Sequence, residues 1–82
     1  MTHRQKIKVT MLKGLLEADG TPLPDSSLLE VGRTTFPTPT MAETITARGE
    51  LENEGFITGA SDGITGTSWA LTAKGQLKAQ QL

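Results

Sequence analysis

Leu51-Glu52-Asn53-Glu54-Gly55-Phe56-Ile57 decides the fold, because a polar helix-favouring run gives way at Gly55 to a β-type texture. Glycine enters the left-handed region without a Cβ penalty and so closes a helix while turning the chain. Beyond it, Phe56-Ile57-Thr58-Gly59-Ala60-Ser61 and the run from Ile64 to Thr72 flank Asp62-Gly63. Asp-Gly between two such runs is a strong hairpin signal, since the favoured two-residue turn needs positive φ at both central positions. A tight turn there predicts Phe56 opposite Trp69, with Trp69 and Leu71 on the buried face. A bulge at Gly59 or Gly66 would shift that register. Thr72 is placed to cap a short last helix carrying Ala73 and Leu77.

Upstream of Leu51, Thr40 and Glu43 have capping-box spacing and open a helix running to about Asn53. Its apolar periodicity is weak: Met41, Ile45 and Gly49 share one side, and Leu51 lies on another. The Phe36-Pro37-Thr38-Pro39 run separates it from a shorter helix with Leu28, Leu29 and Val31 that ends near Gly32. Ser27 and Glu30 have the spacing to cap that helix. Thr21-Pro22-Leu23-Pro24 cannot be helical and reads as an extended link, a short edge strand with Leu23 pointing inward. The first helix runs roughly from Gln5 to Ala18 and is stopped by Asp19-Gly20. Ile7, Val9, Met11, Leu12, Leu15, Leu16 and Ala18 fill one broad arc of it. An arc this wide predicts burial against more than one neighbour, either the chain's own core or a second copy in a homodimer. Lys8 intrudes on the arc and must snorkel outward or fray. Gly14, at its edge, leaves space for a close neighbour.

The order is therefore three helices, a two-stranded hairpin and a short C-terminal helix, an α+β domain covering residues 1–82. Two stretches, Leu51 to Ile57 and Trp69-Ala70-Leu71-Thr72-Ala73-Lys74-Gly75, resemble the end of the recognition helix and the wing exit of winged helix-turn-helix domains. Small bacterial or phage regulators have this form, and similar phrases close the wing in repressors of the multiple-antibiotic-resistance and phenolic-acid-response kinds. The resemblance implies a DNA-binding transcriptional regulator whose third helix enters the major groove while the wing tip touches the backbone. Carried onto this chain, the base-facing residues are Thr44, Thr46, Ala47 and Arg48, with Arg33 as a phosphate contact. The wing tip is Ser61, Asp62, Gly63, Ile64 and Thr65.

Composition narrows the remaining classes. A chain of 82 residues hides only ~60% of its unfolded surface, which leaves little room for a deep substrate cleft. There is no cysteine or tyrosine, His3 is the single histidine at a terminus expected to be mobile, and no phosphate-binding glycine loop is present. No enzyme activity, cofactor or metal is expected. Met1 to Lys6 lead into no long apolar run, so a cytoplasmic protein with no membrane segment is expected. The net charge of -1 is far from the basic balance of a strong nucleic-acid binder. Placement matters more than the total. Arg4, Lys6, Lys8 and Lys13 lie near the N-terminus, whereas Met41 to Glu54 holds four glutamates against Arg48 alone. That pattern supports a second reading: a winged-helix interaction module whose acidic third helix docks on a basic protein.

Overall fold

In a computed structural model of the chain, residues 1–61, 63–64 and 66–82 are described. Among them, four helices surround a small antiparallel sheet: α1 (His3–Glu17), β1 (Leu23–Pro24), α2 (Asp25–Gly32), α3 (Met41–Asn53), β2 (Ile57–Ser61), β3 (Thr67–Leu71) and α4 (Ala73–Gln80). This mixed α+β arrangement is consistent with the winged-helix layout, but the sheet has three strands rather than two. Leu23 pairs with Trp69 and Pro24 with Ser68, which puts β1 on the outer side of β3 in the order β1-β3-β2. Pro24 is tolerated because an edge position does not require its missing N–H.

Helix α1 is the central element. Ile7, Met11, Leu12 and Leu15 are buried against α2, α3, α4 and β3, while Leu16 packs at the margin. The wide apolar arc is thus largely covered within one chain. The helix starts at His3, two residues earlier than expected, because Thr2 and Gln5 form a reciprocal capping box. Asp19 and Gly20 follow its end with φ of 52° and 85°, turning the chain into β1. A Cβ at Gly14 would lie 2.6 Å from Val31 Cγ1, so the neighbour admitted there is a side chain of α2.

Helix α2 begins at Asp25, and its cap position is Pro24, with no side-chain cap bond. The Ser27–Glu30 box is absent because Ser27 already lies inside the helix. Thr40 and Glu43 do cap α3 reciprocally, as their spacing predicts.

The hairpin register also differs from expectation. Ile57 pairs with Leu71 and Gly59 with Trp69, so Phe56 is not opposite Trp69. The strands stop at Ser61 and resume at Thr67, a longer connection than a two-residue turn. Gly66, with φ of 91°, takes part of that reversal. At Gly59 an added Cβ would come 3.0 Å from Trp69 Cζ3 and 2.9 Å from Thr67 Cγ2; the missing side chain leaves room for the indole. Trp69 is buried and Leu71 is half-buried against the core.

The Leu71 to Gly75 phrase latches the end of α3 to the sheet. Thr72 Oγ1 donates to the Gly55 carbonyl at 2.6 Å and accepts from the Gly75 N–H at 3.0 Å. Lys74 Nζ donates to the Glu54 carbonyl at 2.8 Å and lies 4.9 Å from the Phe56 ring centroid. A Cβ on Gly75 would sit 1.8 Å from the Phe56 carbonyl oxygen, so no larger residue fits this approach. The motif therefore has a mechanical explanation in the corner between α3 and the hairpin.

Candidate nucleic-acid interface

Helix α3 divides into two faces. Thr44, Ala47 and Leu51 are buried, and Thr44 Oγ1 donates to the Met41 carbonyl at 2.7 Å. Thr44 and Ala47 are consequently core residues and do not face outward; this corrects their assignment as base contacts. The physical reason is the close approach of α2, where a Cβ on Gly32 would lie 3.3 Å from Thr44 Cγ2. The Met11 side chain of α1 fills the same point, 2.5 Å from that Cβ.

Arg48 is also turned inward. Its Nη1 donates to Asp25 Oδ1, the same oxygen that accepts from Trp69 Nε1 at 2.7 Å. The guanidinium carbon lies 5.6 Å from the Trp69 ring centroid, within the range of a cation–π contact. Asp25, Arg48 and Trp69 thereby join the start of α2, the middle of α3 and the central strand. An Arg48 side chain held by two partners is not extended toward a ligand. Sequence spacing could not reveal the cluster, because Asp25 lies 23 residues before Arg48 and 44 before Trp69.

The glutamates follow the same rule. Glu50 accepts from Arg4 Nη1 at 2.7 Å and lies 3.4 Å from Lys8 Nζ, which also pairs with Glu54 at 2.6 Å. Lys8 thus resolves its intrusion on the α1 arc by reaching to α3. Burial alone would lower its pKa, but the bonds and charges of Glu54 and then Glu50 outweigh this and raise it. Glu50 is held below its usual range chiefly by the Arg4 hydrogen bond. Glu43 is lowered chiefly by the Thr40 N–H of its capping box, with His3 contributing less. His3 lies in the first turn of α1, with Nε2 2.7 Å from the Pro37 carbonyl and Nδ1 3.4 Å from Glu43. It is anchored, contrary to the expectation of a mobile terminus.

What remains outward on α3 is nearly free of charge. Ala42, Ile45, Thr46, Gly49, Glu52 and Asn53 are exposed, and at helical spacing they form one stripe. Ile45 is 42% exposed, and Met41 beside it 44%. Thr46 donates its hydroxyl to the Ala42 carbonyl at 2.9 Å. Arg33 is exposed at the end of α2, where the turn toward α3 begins with exposed Thr34. Of the expected site residues, Thr46 and Arg33 therefore lie on the surface, while Thr44, Ala47 and Arg48 belong to the packed side.

At the end of the hairpin, the expected wing tip, Ser61, Gly63 and Ile64 are exposed, and Ser61 Oγ accepts from the Gly63 N–H at 3.2 Å. Asp62 and Thr65 lie outside the described residues. Among the described residues, no group of three or more His, Cys, Asp and Glu side chains is placed to hold a metal ion. No helix there is long and apolar enough to cross a membrane.

The chain is similar in structure to SSV1 F-93, with a TM-score of 0.69 and 22% sequence identity. The match covers 90% of this chain and 79% of that one. At this identity the likeness is one of fold. No protein-family model and no curated protein sequence matches the chain.

Proposed function

We propose that the protein is a small transcriptional regulator of the winged helix-turn-helix kind, meeting double-stranded DNA with the outward stripe of α3. The observation that carries this reading is the separation of charge on that helix. Glu43, Glu50 and Glu54 are engaged by His3, Arg4 and Lys8 of α1, which leaves Glu52 as the one acid of the outward stripe. A low net charge then does not prevent the helix from approaching phosphates, because affinity depends on the charges near the groove. Arg33 and the threonine-rich turn after α2 supply backbone contacts, and the exposed residues of the hairpin tip reach the neighbouring backbone. Thr46, exposed on that stripe, is the threonine of the helix placed to meet the base edges in this reading. The alternative of an acidic surface docking on a basic protein has less behind it, because Glu50 and Glu54 are already paired with Arg4 and Lys8 and only Glu52 stands on the outward stripe.

A salt titration of binding to mixed-sequence duplex DNA tests the proposal. The affinity is expected to fall with salt, and Arg33→Ala should flatten that dependence by about one phosphate contact. Arg48→Ala should leave the slope unchanged, since its guanidinium is turned inward. Absence of salt-sensitive binding at low ionic strength would reject the proposal.

A further inference from the structure

We infer that the DNA met by α3 is rich in A·T pairs, read through the 5-methyl groups of thymine by Ala42, Ile45 and Thr46. The inference rests on the proposed groove-facing role of α3 and specifies its target. In the major groove, guanine is read by arginine or lysine and adenine by asparagine or glutamine, whereas the thymine methyl is read by apolar contact. The first turns of a recognition helix make most base contacts. Here those turns present outward Ala42, Ile45, Thr46 and Gly49, which include no guanidinium, ammonium or amide group. The one cation of the helix, Arg48, is held by Asp25 over the Trp69 ring.

The remaining chemistry suits a methyl group. Ile45 is 42% exposed beside Met41 at 44%, so this end of the helix offers aliphatic surface rather than polar groups. Thr46 already gives its hydroxyl proton to the Ala42 carbonyl, so it offers a ligand its methyl and an acceptor lone pair. An ideal Cβ on Gly49 would have nothing within 4 Å, and without one the helix can come closer to the base edges. Glu52 and Asn53 carry polar groups but stand farther along; at 1.5 Å per residue Glu52 is about 15 Å from Ala42. Charge admits DNA without distinguishing its base pairs: Glu50 and Glu54 are paired with Arg4 and Lys8 of α1, Glu52 is the one acid of the stripe, and Arg33 is exposed at the end of α2.

Fluorescence anisotropy at low salt, with labelled duplexes of about two helical turns, provides the test. The probes are alternating A·T DNA, the same duplex with uracil replacing thymine, and alternating G·C DNA. Tightest binding is expected to A·T, with about a fourfold loss in the uracil duplex for each contacted methyl. Ile45→Ala and Thr46→Ser, both surface changes, should narrow the gap between the thymine and uracil duplexes. Equal binding of those two duplexes, a preference for G·C, or a gap unchanged in both variants would overturn the inference while leaving DNA binding intact. Failure to bind any of the three duplexes would instead overturn the functional reading beneath it.

Discussion

The two faces of α3 contrast in everything but length. The inner face carries Thr44, Ala47 and Leu51 in the core, Arg48 bound to Asp25 and Trp69, and glutamates tied to α1. The outer face carries mostly small or uncharged residues, with Glu52 its one acid, and all of them are exposed. Such a helix has a weak apolar stripe because its inner contacts are partly polar and its outer face is not strongly charged. Weak periodicity is then a consequence of an inner face that mixes apolar and polar contacts and an outer face that is mostly uncharged.

Truncation should separate the faces most clearly. Leu51→Ala removes a fully buried side chain and should cost about 2–5 kcal/mol, and Leu12→Ala and Leu15→Ala on the opposing helix should behave alike. Ile45→Ala on the outer face should stay within about 0.5 kcal/mol. Chemical denaturation midpoints measure both; similar losses at Leu51 and Ile45 would break the contrast.

The Asp25–Arg48–Trp69 junction comes next. Asp25→Ala leaves the Trp69 N–H and the Arg48 guanidinium without their shared acceptor, at a cost of about 1–3 kcal/mol. Trp69 is the single tryptophan, so its emission reports directly on the junction. A variant with parental stability and an unshifted spectrum would mean that the junction does not form in solution.

A smaller effect of opposite sign is expected at Gly49. Its position is helical, exposed and unobstructed, so Gly49→Ala should stabilise the domain by about 0.5–1 kcal/mol. A loss of stability would show that something covers this position.

The smallest effect concerns pH. Glu43 and Glu50 have folded-state pKa values below their ordinary ones, through the Thr40 cap and the Arg4 pair respectively. Their stabilisation is full at neutral pH and is lost as pH falls through the carboxylate range. Lys8, raised in the folded state, gives stabilisation that is lost only as the solution becomes more basic than the ordinary lysine value of 10.5. Denaturation midpoints across acidic pH should therefore decline less in Glu50→Gln than in the parent.

Local chemistry was legible in the sequence wherever one residue satisfies another nearby. The Thr40–Glu43 box, the Gly55 turn and the Thr72 cap all depend on neighbours within a few positions. The Thr2–Gln5 box had the same spacing and would have placed the start of α1 at His3. Register was harder, because an Asp-Gly pair signals a reversal without fixing how many residues make it. The division of α3 was hardest. Small Thr44 and Ala47 read as surface residues until α2 is seen crossing at Gly32, and the glutamates read as a free acidic face until Arg4 and Lys8 arrive from α1. These are contacts between residues far apart in the chain, which charge counts and helical wheels do not contain. Thr46 and Arg33 were placed on the surface by the sequence reading, whereas Arg48 was drawn away by a carboxylate on another helix.

The central claim is that the outward stripe of α3 is the DNA-facing surface, and Thr46→Glu tests it most directly. The substitution adds a carboxylate to an exposed helical position and should leave the thermal midpoint close to that of the parent. Duplex binding by the parent and the variant, followed by anisotropy over a range of salt, is the deciding measurement. The parent should bind with an affinity that falls with salt, and the equally folded variant should lose that binding because its new charge meets the groove. Binding by Thr46→Glu as tight as the parent's at every salt concentration would contradict the claim.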